Sequence, residues 1–457
     1  MKICIIGSGI SGLQTLNELK DDYECHIFDG KSVTGGIWQN TYDKCSLQVP
    51  SELYEFVDMP SSLPNGSFPD SDYMKEYINN YIEKYKLKNK GIFHLGETVD
   101  TILKPPNDEW TIVTTKRSYQ FDYCIICTGM YNDHYIPLEY EFDETIHTSE
   151  FNDATTVQDK NVMIIGGGKS AIDCAVTSSK YAKNVFIYSR KLHWPIPRYI
   201  LGLIPVKYIF FSRLGNFLFP KYWNLTDSEN KWHDRFSTIK SIVLKIFEKI
   251  IMYQFGLKEK PNVSLYEDIS QNGQIINNDY YKLLNNGKIK YVNYDEISQY
   301  LKDSDTVICG TGFTKDYSIF HESIEDSLNV EEDGLWLYKN IIPPNVKNLA
   351  FIGSEVSTFN DILTQNLQAK WLRYHLDNED LPNDNVPSIK LMMDFINEEK
   401  KWKRSWIPKS YKRASCLHLN ITKYHDILMK DMGKDIVKNK WWQWFLPITS
   451  LDYSWIF

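Results

Sequence analysis

Lys2-Ile3-Cys4-Ile5-Ile6-Gly7-Ser8-Gly9-Ile10-Ser11-Gly12 opens the chain, and its reading decides the fold. A short apolar strand runs straight into G-x-G-x-x-G, and helix-compatible sequence comes next. In such a unit the first glycine permits a tight turn and the second lets the backbone approach a pyrophosphate. The third lets helix and strand pack closely, leaving the helix N-terminus aimed at the phosphates. The pattern returns at Asn161-Val162-Met163-Ile164-Ile165 followed by Gly166-Gly167-Gly168-Lys169-Ser170-Ala171, where small Ala171 takes the third place. One glycine cluster also fits an ordinary turn. Two clusters, each behind its own strand, point to two bound dinucleotides.

The residues beyond each turn separate the two ligands. After the first, Cys25-His26-Ile27-Phe28 reads as the second strand and Asp29 stands where a carboxylate accepts hydrogen bonds from ribose hydroxyls, which suits FAD or NAD. After the second, Asn184-Val185-Phe186-Ile187-Tyr188 ends in Ser189-Arg190-Lys191, with no acid. Two cations and a hydroxyl suit an extra ribose phosphate, so the second site is read as one for NADPH, against the alternative of a solvated basic turn. Lys169-Ser170 imitates a P-loop, but that motif needs glycine at 163, where Met163 stands.

Composition agrees with such an enzyme. The chain has 457 residues, 42% apolar and 24% charged, a length that predicts two or three domains. A net charge of −8 gives no electrostatic footprint for nucleic acid. With the first strand beginning at Lys2 and no long apolar run, neither a signal peptide nor a membrane span is expected, and the reading is cytoplasmic. The eight cysteines fit no disulfide framework. Cys124-x-x-Cys127 invites a redox or zinc role, but it lies in the apolar run Tyr123-Cys124-Ile125-Ile126-Cys127 and reads as a buried strand.

Along the chain, strands, helices and turns alternate, with an antiparallel meander expected between Gly91 and Tyr123. Cys127-Thr128-Gly129 is echoed by Gly310-Thr311-Gly312-Phe313, which suggests two crossings between domains. The expected architecture is α/β, with two Rossmann-like dinucleotide-binding domains. The FAD-type domain is discontinuous over residues 1–155 and 311–390. The NADPH-type domain, 156–310, is inserted in it, and 391–457 form a helical, aromatic-rich extension. Pro343-Pro344 to Gly353 supplies a strand returning the chain to the first nucleotide.

These residues carry a resemblance to the flavin-containing monooxygenase family, the FAD and NADPH enzymes that include the animal flavin monooxygenases and the plant YUCCA enzymes. It covers roughly residues 1–375 in motif order. Gly35-Gly36-Ile37-Trp38 resembles the family's G-G-x-W, Ser46-Leu47-Gln48-Val49-Pro50 its S-L-x-x-[NP] segment, and Phe68-Pro69 running on to Tyr77 its F-P stretch. His147-Thr148-Ser149-Glu150-Phe151 is similar to the end of the family signature. Arg190, Trp194, Pro197 and Arg198 match R-x-x-x-W-x-x-P-R, Gly310 to Phe313 the A-T-G-[YF] linker, and Gln368-Ala369-Lys370-Trp371 the Q-A-[RK]-W helix start. The departures are Glu141 and Asp143 in place of the signature's Phe and Gly, Asn152 in place of its closing base, and Lys169 in place of asparagine. Pro50 matches the plant pattern, although Ser51 then replaces its lysine.

The resemblance implies an NADPH-dependent monooxygenase. NADPH reduces FAD, the flavin captures dioxygen as a hydroperoxide, and one oxygen passes to a small lipophilic amine, as in N,N-dimethylaniline oxygenation, to a sulfide, or to a carbonyl compound. A disulfide or quinone reductase, or a flavoprotein that has lost oxygenation, are the other readings. No catalytic triad or metal cluster is expected, and His147 reads as an anchor of the interdomain linker rather than a general base. By this resemblance Gly7, Gly9, Ile10, Ser11, Gly12, Asp29, Gly36, Ile37, Trp38 and Val99 serve FAD, with Gly353 and Gln368 from the returning segment. Gly166, Gly168, Lys169, Ser170 and Ala171 hold the NADPH pyrophosphate, Ser189, Arg190 and Lys191 read its extra phosphate, and Thr128, Gly129, Thr311 and Gly312 lie between the domains. Substrate is expected near Gln48, Val49, Pro50 and Asn360.

Two aromatic-rich segments fall outside the family motifs, Tyr199 to Trp223 and the tail around Trp441-Trp442-Gln443-Trp444-Phe445. Covering the catalytic domains or lining a substrate tunnel is the preferred reading. A membrane interface beside Lys438 and Lys440 is the alternative, and it leaves peripheral membrane contact open, as homo-oligomerisation is.

Overall fold

Ile3, Cys4, Ile5 and Ile6 form β1 (Lys2–Ile6), a strand buried along nearly its whole length, as a β-branched run in a parallel sheet covered on both faces should be. The computed structural model describes residues 1–104, 109–219, 221–272, 274–276, 279–378, 387–418 and 420–456. In it β1 runs through Gly7 into α1 (Ile10–Leu19) and pairs in parallel with β2 (Glu24–Asp29). Helix α2 (Ser71–Lys84) comes next. Beyond it β3 (Ile92–Leu95) adds in parallel to β2, so the expected meander begins later and comprises β4 (Val99–Leu103), β5 (Trp110–Thr114) and β6 (Ser118–Phe121). Strand β7 (Tyr123–Ile126) then pairs with the other side of β1.

The chain next crosses to a second sheet through β8 (Asp133–His134). That sheet contains β9 (Thr145–His147), β10 (Asn161–Ile165), β11 (Asn184–Tyr188), β12 (Ile289–Tyr291) and β13 (Thr306–Cys309), with α3 (Lys169–Ser178) after β10. It crosses back through β14 (Phe313–Thr314), which pairs antiparallel with β8, so the two crossings form one ribbon. Strand β15 (Leu349–Phe351) then joins β7 at the edge of the first sheet. The spatial orders are β15-β7-β1-β2-β3 and β12-β11-β10-β13-β9. Each order reverses beside its glycine-turn strand, and the crevice at the strands' carboxyl ends is where an open α/β sheet binds its ligand. The second sheet takes in residues 145–147, ahead of position 156.

His147 ends β9 and is fully buried at the ribbon. Its ring stacks on His134 at 5.1 Å and meets the edge of Phe313 at 4.9 Å, and Ser149 donates its backbone N–H to Nδ1 at 3.2 Å. Burial lowers its pKa to about 4. A histidine held neutral contributes stability that is full above its ordinary pKa near 6.5 and is lost as pH falls toward 4, worth about 3 kcal/mol at most. His147→Phe should flatten that part of the stability profile between pH 6.5 and 4. Denaturant melts across that window check it, and an unchanged acid limb would contradict it.

After β15 come α4 (Asp361–Asn378), α5 (Ile389–Arg404) and α6 (Ile421–Asp431). The expected boundary at 390 falls inside α5, and the preceding 379–386 lie outside the described residues. Tyr424, Leu428 and Met429 of α6 share one core with α1 and α4. No helix among the described residues is long and apolar enough to cross a membrane. The aromatic segments divide. Phe210, Phe219 and Tyr222 are buried, as a covering role requires, whereas Trp441, Trp442, Trp444 and Phe445 are exposed.

Candidate functional site

The first turn is shaped by backbone proximity. Gly7 has φ +107°, and a Cβ there would meet the Cys127 carbonyl, whose carbon is 2.8 Å away. A Cβ on Gly12 would overlap the Gly7 carbonyl oxygen and come 3.0 Å from its carbon. Gly36, at φ +62°, lies so close to the turn that its Cβ would be 2.9 Å from the Gly9 Cα. The glycines therefore keep three backbone segments in contact at the N-terminus of α1.

That N-terminus is chemically open. Helices α2, α5 and α6 begin with Asp70, Ser388 and Asn420, whose side chains accept a backbone N–H. Helices α1 and α3 begin on Gly9 and Gly168, with no capping side chain and no acid in the first turn. Unsatisfied N–H groups and the positive end of the helix dipole suit an anion. A dinucleotide pyrophosphate fits both turns on that ground.

The first turn opens onto a cleft of about 690 Å³. It is lined by Gly7, Gly9, Ile10, Ser11, Asp29, Gly36, Ile37, Trp38, Val99, Thr128, Gly129 and Gly353. Gly12 packs beneath it. Asp29 ends β2, and Ser8 donates to its Oδ2 from backbone N at 2.8 Å and from Oγ at 2.7 Å. Lys31 N donates to Oδ1 at 2.9 Å. Trp38 is buried and meets Tyr54 edge to face at 6.1 Å. Gln368 does not line the cleft. Its Oε1 accepts from Gly353 N at 3.0 Å and its Nε2 donates to the Tyr424 hydroxyl at 2.8 Å, which ties the cleft wall to α6. Thr311 and Gly312 also lie away from the lining, in the crossing, where Tyr135 N donates to Gly312 O at 3.0 Å. Cys124 and Cys127 are buried free thiols, and burial pushes Cys127 up to about 12, which leaves no exposed dithiol there.

Sequence reasoning missed several lining residues, among them Tyr54, Tyr131, Lys315, Glu355, Asp361 and Gln365. Lys315 and Glu355 form an ion pair across the cleft wall, and Tyr317 donates to Glu355 at 3.0 Å. Asp361 opens α4 and accepts from Thr358 N at 2.9 Å. Burial raises its carboxyl pKa to about 6, and its charge is felt at the Tyr54 hydroxyl. A carboxylate titrating there should shift the visible spectrum of a flavin in the cleft, with an apparent pKa near 6. Asp361→Asn should abolish that transition. A pH titration of bound-flavin absorbance decides it, and an identical transition in the variant would contradict the assignment.

The second turn repeats the construction. Gly166 has φ +129°, and a Cβ there would be 2.9 Å from the Gly310 carbonyl carbon. A Cβ on Gly310 would in turn be 2.6 Å from the Ala171 Cβ, so Ala171 fits as third residue because glycine faces it. The space is small, a cavity of about 30 Å³ lined by Gly166, Gly167, Ser189, Lys191 and His193 among others. Gly168 and Ser170 are partly exposed at the mouth of the turn, and Arg190 and Lys191 are exposed beside it. Lys169 points away from the turn and pairs with Asp173, which also accepts from the Tyr42 hydroxyl at 2.9 Å. Arg198 donates to the Leu47 carbonyl at 3.0 Å and stacks on Phe68 at 3.8 Å. Lys169 and Arg198 thus hold residues 42–47 of the first unit against the second.

On the substrate side the structure brings together fewer of the expected residues. Val49 and Pro50 are buried and Gln48 is half-buried, and none of them lines the cleft. Asn360 lines a separate apolar cavity of about 40 Å³, with Leu53, Phe211, Phe359, Leu363 and Ile448. Leu53 and Tyr54 face opposite sides of one wall, as do Asn360 and Asp361. The cavity therefore lies directly behind the cleft.

The sequence model of the flavin-binding monooxygenase-like family matches residues 1–438. The probable flavin-containing monooxygenase 1 of Arabidopsis thaliana is 25% identical, over 99% of this chain and 96% of its own. Among solved structures, S-allyl-L-cysteine S-oxygenase from Allium sativum superposes with a TM-score of 0.60 at 18% identity, covering 96% of this chain and 90% of that one. Cyclohexanone monooxygenase from Rhodococcus sp. Phi1 bound to NADP+ superposes with a TM-score of 0.67 at 15% identity, covering 94% and 97%. These two likenesses concern the fold.

Proposed function

The chain belongs to the flavin-binding monooxygenase-like family, and from that premise we propose how its residues divide the work. It is an FAD- and NADPH-dependent monooxygenase that transfers one oxygen atom to a small molecule. The reading of its sites is carried by one observation, the pair of uncapped helix N-termini on glycine turns. Residues 1 to about 135 and those from 315 onward hold the FAD unit, and the NADPH unit runs from about 145 to 310, with the ribbon between them. FAD, when bound, supplies hydride acceptance and oxygen transfer.

In this reading the α1 N-terminus, Gly7 and Gly9 seat the FAD pyrophosphate. Asp29 is held at the end of β2 by Ser8 for the ribose, and Trp38 and Tyr54 wall the ring system. The α3 N-terminus seats the NADPH pyrophosphate, and Ser189, Arg190 and Lys191 select the extra phosphate. Buried Trp38, with half-buried Tyr54 and Asp361 beside it, restricts water at the reacting end. The substrate is a small lipophilic nucleophile, an amine or sulfide, or a carbonyl compound. Apolar side chains behind the Tyr54 and Asp361 wall support it, and the two structural neighbours act on a sulfur compound and a cyclic ketone by their names. The chain works in the cytoplasm, and the exposed Trp441, Trp442, Trp444 and Phe445 of its tail support peripheral contact with the cytosolic face of a membrane as the second reading beside a covering role.

Methyl phenyl sulfide, N,N-dimethylaniline and cyclohexanone offered to the FAD-loaded protein test the substrate class. One of them should raise NADPH oxidation and yield oxygenated product in equal amount. Oxidation that is indifferent to all three, with peroxide as product, would overturn it.

A further inference from the structure

The segment that follows β11 is pinned at both ends. Ser189 Oγ donates to the Lys191 carbonyl at 3.0 Å, and the Tyr291 hydroxyl donates to the Ser189 carbonyl at 2.9 Å. At the far end Trp194 Nε1 donates to the Val263 carbonyl at 2.8 Å, and Trp194 N donates to Asp268 Oδ2 at 2.5 Å. Asp268 is a buried carboxylate in the helix Leu265–Asn272, and its other oxygen, Oδ1, accepts from His193 Nδ1 at 2.7 Å. His193 is therefore displayed on a fixed support.

The bond to Asp268 decides which way the ring faces. A carboxylate only accepts, so Nδ1 carries the hydrogen and Nε2 is turned away from Asp268. Gly167, the middle residue of the second turn, has no side chain, and a Cβ there would stand 3.5 Å from His193 Cδ2 and 2.9 Å from Ser189 Cβ. The Cδ2–Nε2 edge of the ring thus lies over the turn, in the space that a side chain at 167 would take. Nε2 has no protein partner among the described residues, and the side chain is 22% exposed. The first turn is built the other way. There Ser8 is the middle residue and donates to Asp29, whose place in the strand register Ser189 takes in the second sheet. A carboxylate for ribose hydroxyls is thereby replaced by a hydroxyl with an imidazole beside it.

We propose that His193, oriented by Asp268, reads the extra ribose phosphate together with Arg190 and Lys191 and so adds to the preference for NADPH over NADH. A ring whose Nδ1 already donates holds an anion as the imidazolium, with Nε2–H given to a phosphate oxygen. Its charge then lies between the Asp268 carboxylate and the phosphate, and a dinucleotide without that phosphate offers no acceptor there. The inference rests on reading the second turn as the NADPH site.

The test is calorimetric binding of NADP+ and NAD+, which differ by that one phosphate, to the oxidised, FAD-loaded full chain, a measurement that needs no turnover. His193→Asn keeps a donor for Asp268 and removes Nε2, whereas His193→Phe keeps the bulk of a ring over Gly167 and removes both nitrogens. Each should lower NADP+ affinity about tenfold or more and change NAD+ affinity by less than about twofold. Retained flavin and unchanged NAD+ binding show that the turn is intact in each variant. A parent that binds NADP+ no better than NAD+ would overturn the NADPH reading and this inference together. A parent that prefers NADP+, with variants that keep its preference or lose both nucleotides equally, would overturn this inference alone.

Discussion

Gly12→Ala is expected to give protein that carries no flavin. The added methyl would overlap the Gly7 carbonyl oxygen, and neither partner can move away alone. Gly7 N is bonded to Phe28 O at 2.7 Å, and Gly7 itself is packed against the Cys127 carbonyl. Relief requires α1 to lift from β1, which takes its N–H groups off the pyrophosphate position. FAD affinity should fall by at least about 100-fold, roughly 2.7 kcal/mol. Absorbance of the purified variant and FAD titration of its apoprotein measure this. Gly168→Ala is the internal comparison, because a Cβ there meets open space. It should keep its flavin. A Gly12→Ala protein with full flavin occupancy would remove the assignment of the first turn.

The second large effect concerns the choice of reductant. Arg190 and Lys191 are exposed at the end of β11, with Ser189 half-buried between them and the sheet. Charge-assisted bonds to a phosphate are worth about 1.5–3 kcal/mol each. Arg190→Ala with Lys191→Ala should raise the KM for NADPH by roughly 100-fold or more and leave that for NADH nearly unchanged. Reduction rates at saturating NADPH should hold, because neither side chain reaches the first cleft. Steady-state kinetics with both reductants check it. Equal losses with NADPH and NADH would show general damage to the turn, and no loss would place the phosphate elsewhere.

The geometry of the two glycine turns was legible because it is local. Strand, glycine turn, helix and the residue ending the next strand lie within about thirty positions, and the physics of the turn fixes the residue types. The two crossings were legible from Thr128-Gly129 and Thr311-Gly312, which lead into β8 and β14, although the ribbon pairs Asp133-His134 with Phe313-Thr314 and not the two dipeptides themselves. Asp361 and Gln365 were not, because they reach the cleft only through the docking of α4 on α1, a contact between segments some 350 residues apart, as in the bond from Gln14 to the Ile362 carbonyl. Gln368 carried a family motif, yet its amide is spent inside the protein on Gly353 and Tyr424. Lys169 read as a phosphate contact from its place in the turn, while its ammonium pairs with Asp173 one helical turn on. The aromatic tail shows the limit of composition most clearly. Phe219 and Trp444 lie in similar aromatic runs, yet Phe219 packs into the second core and Trp444 is exposed, a difference set by tertiary packing that composition does not carry.

The central claim is that dioxygen supplies one atom to the product and NADPH supplies the electrons. It is tested most directly by turnover under ¹⁸O₂ with the substrate that raises NADPH oxidation, combined with mass spectrometry of the product. The account predicts one ¹⁸O per product molecule and one NADPH consumed for each. An unlabelled product, or NADPH consumption that ends wholly in labelled hydrogen peroxide, would contradict it.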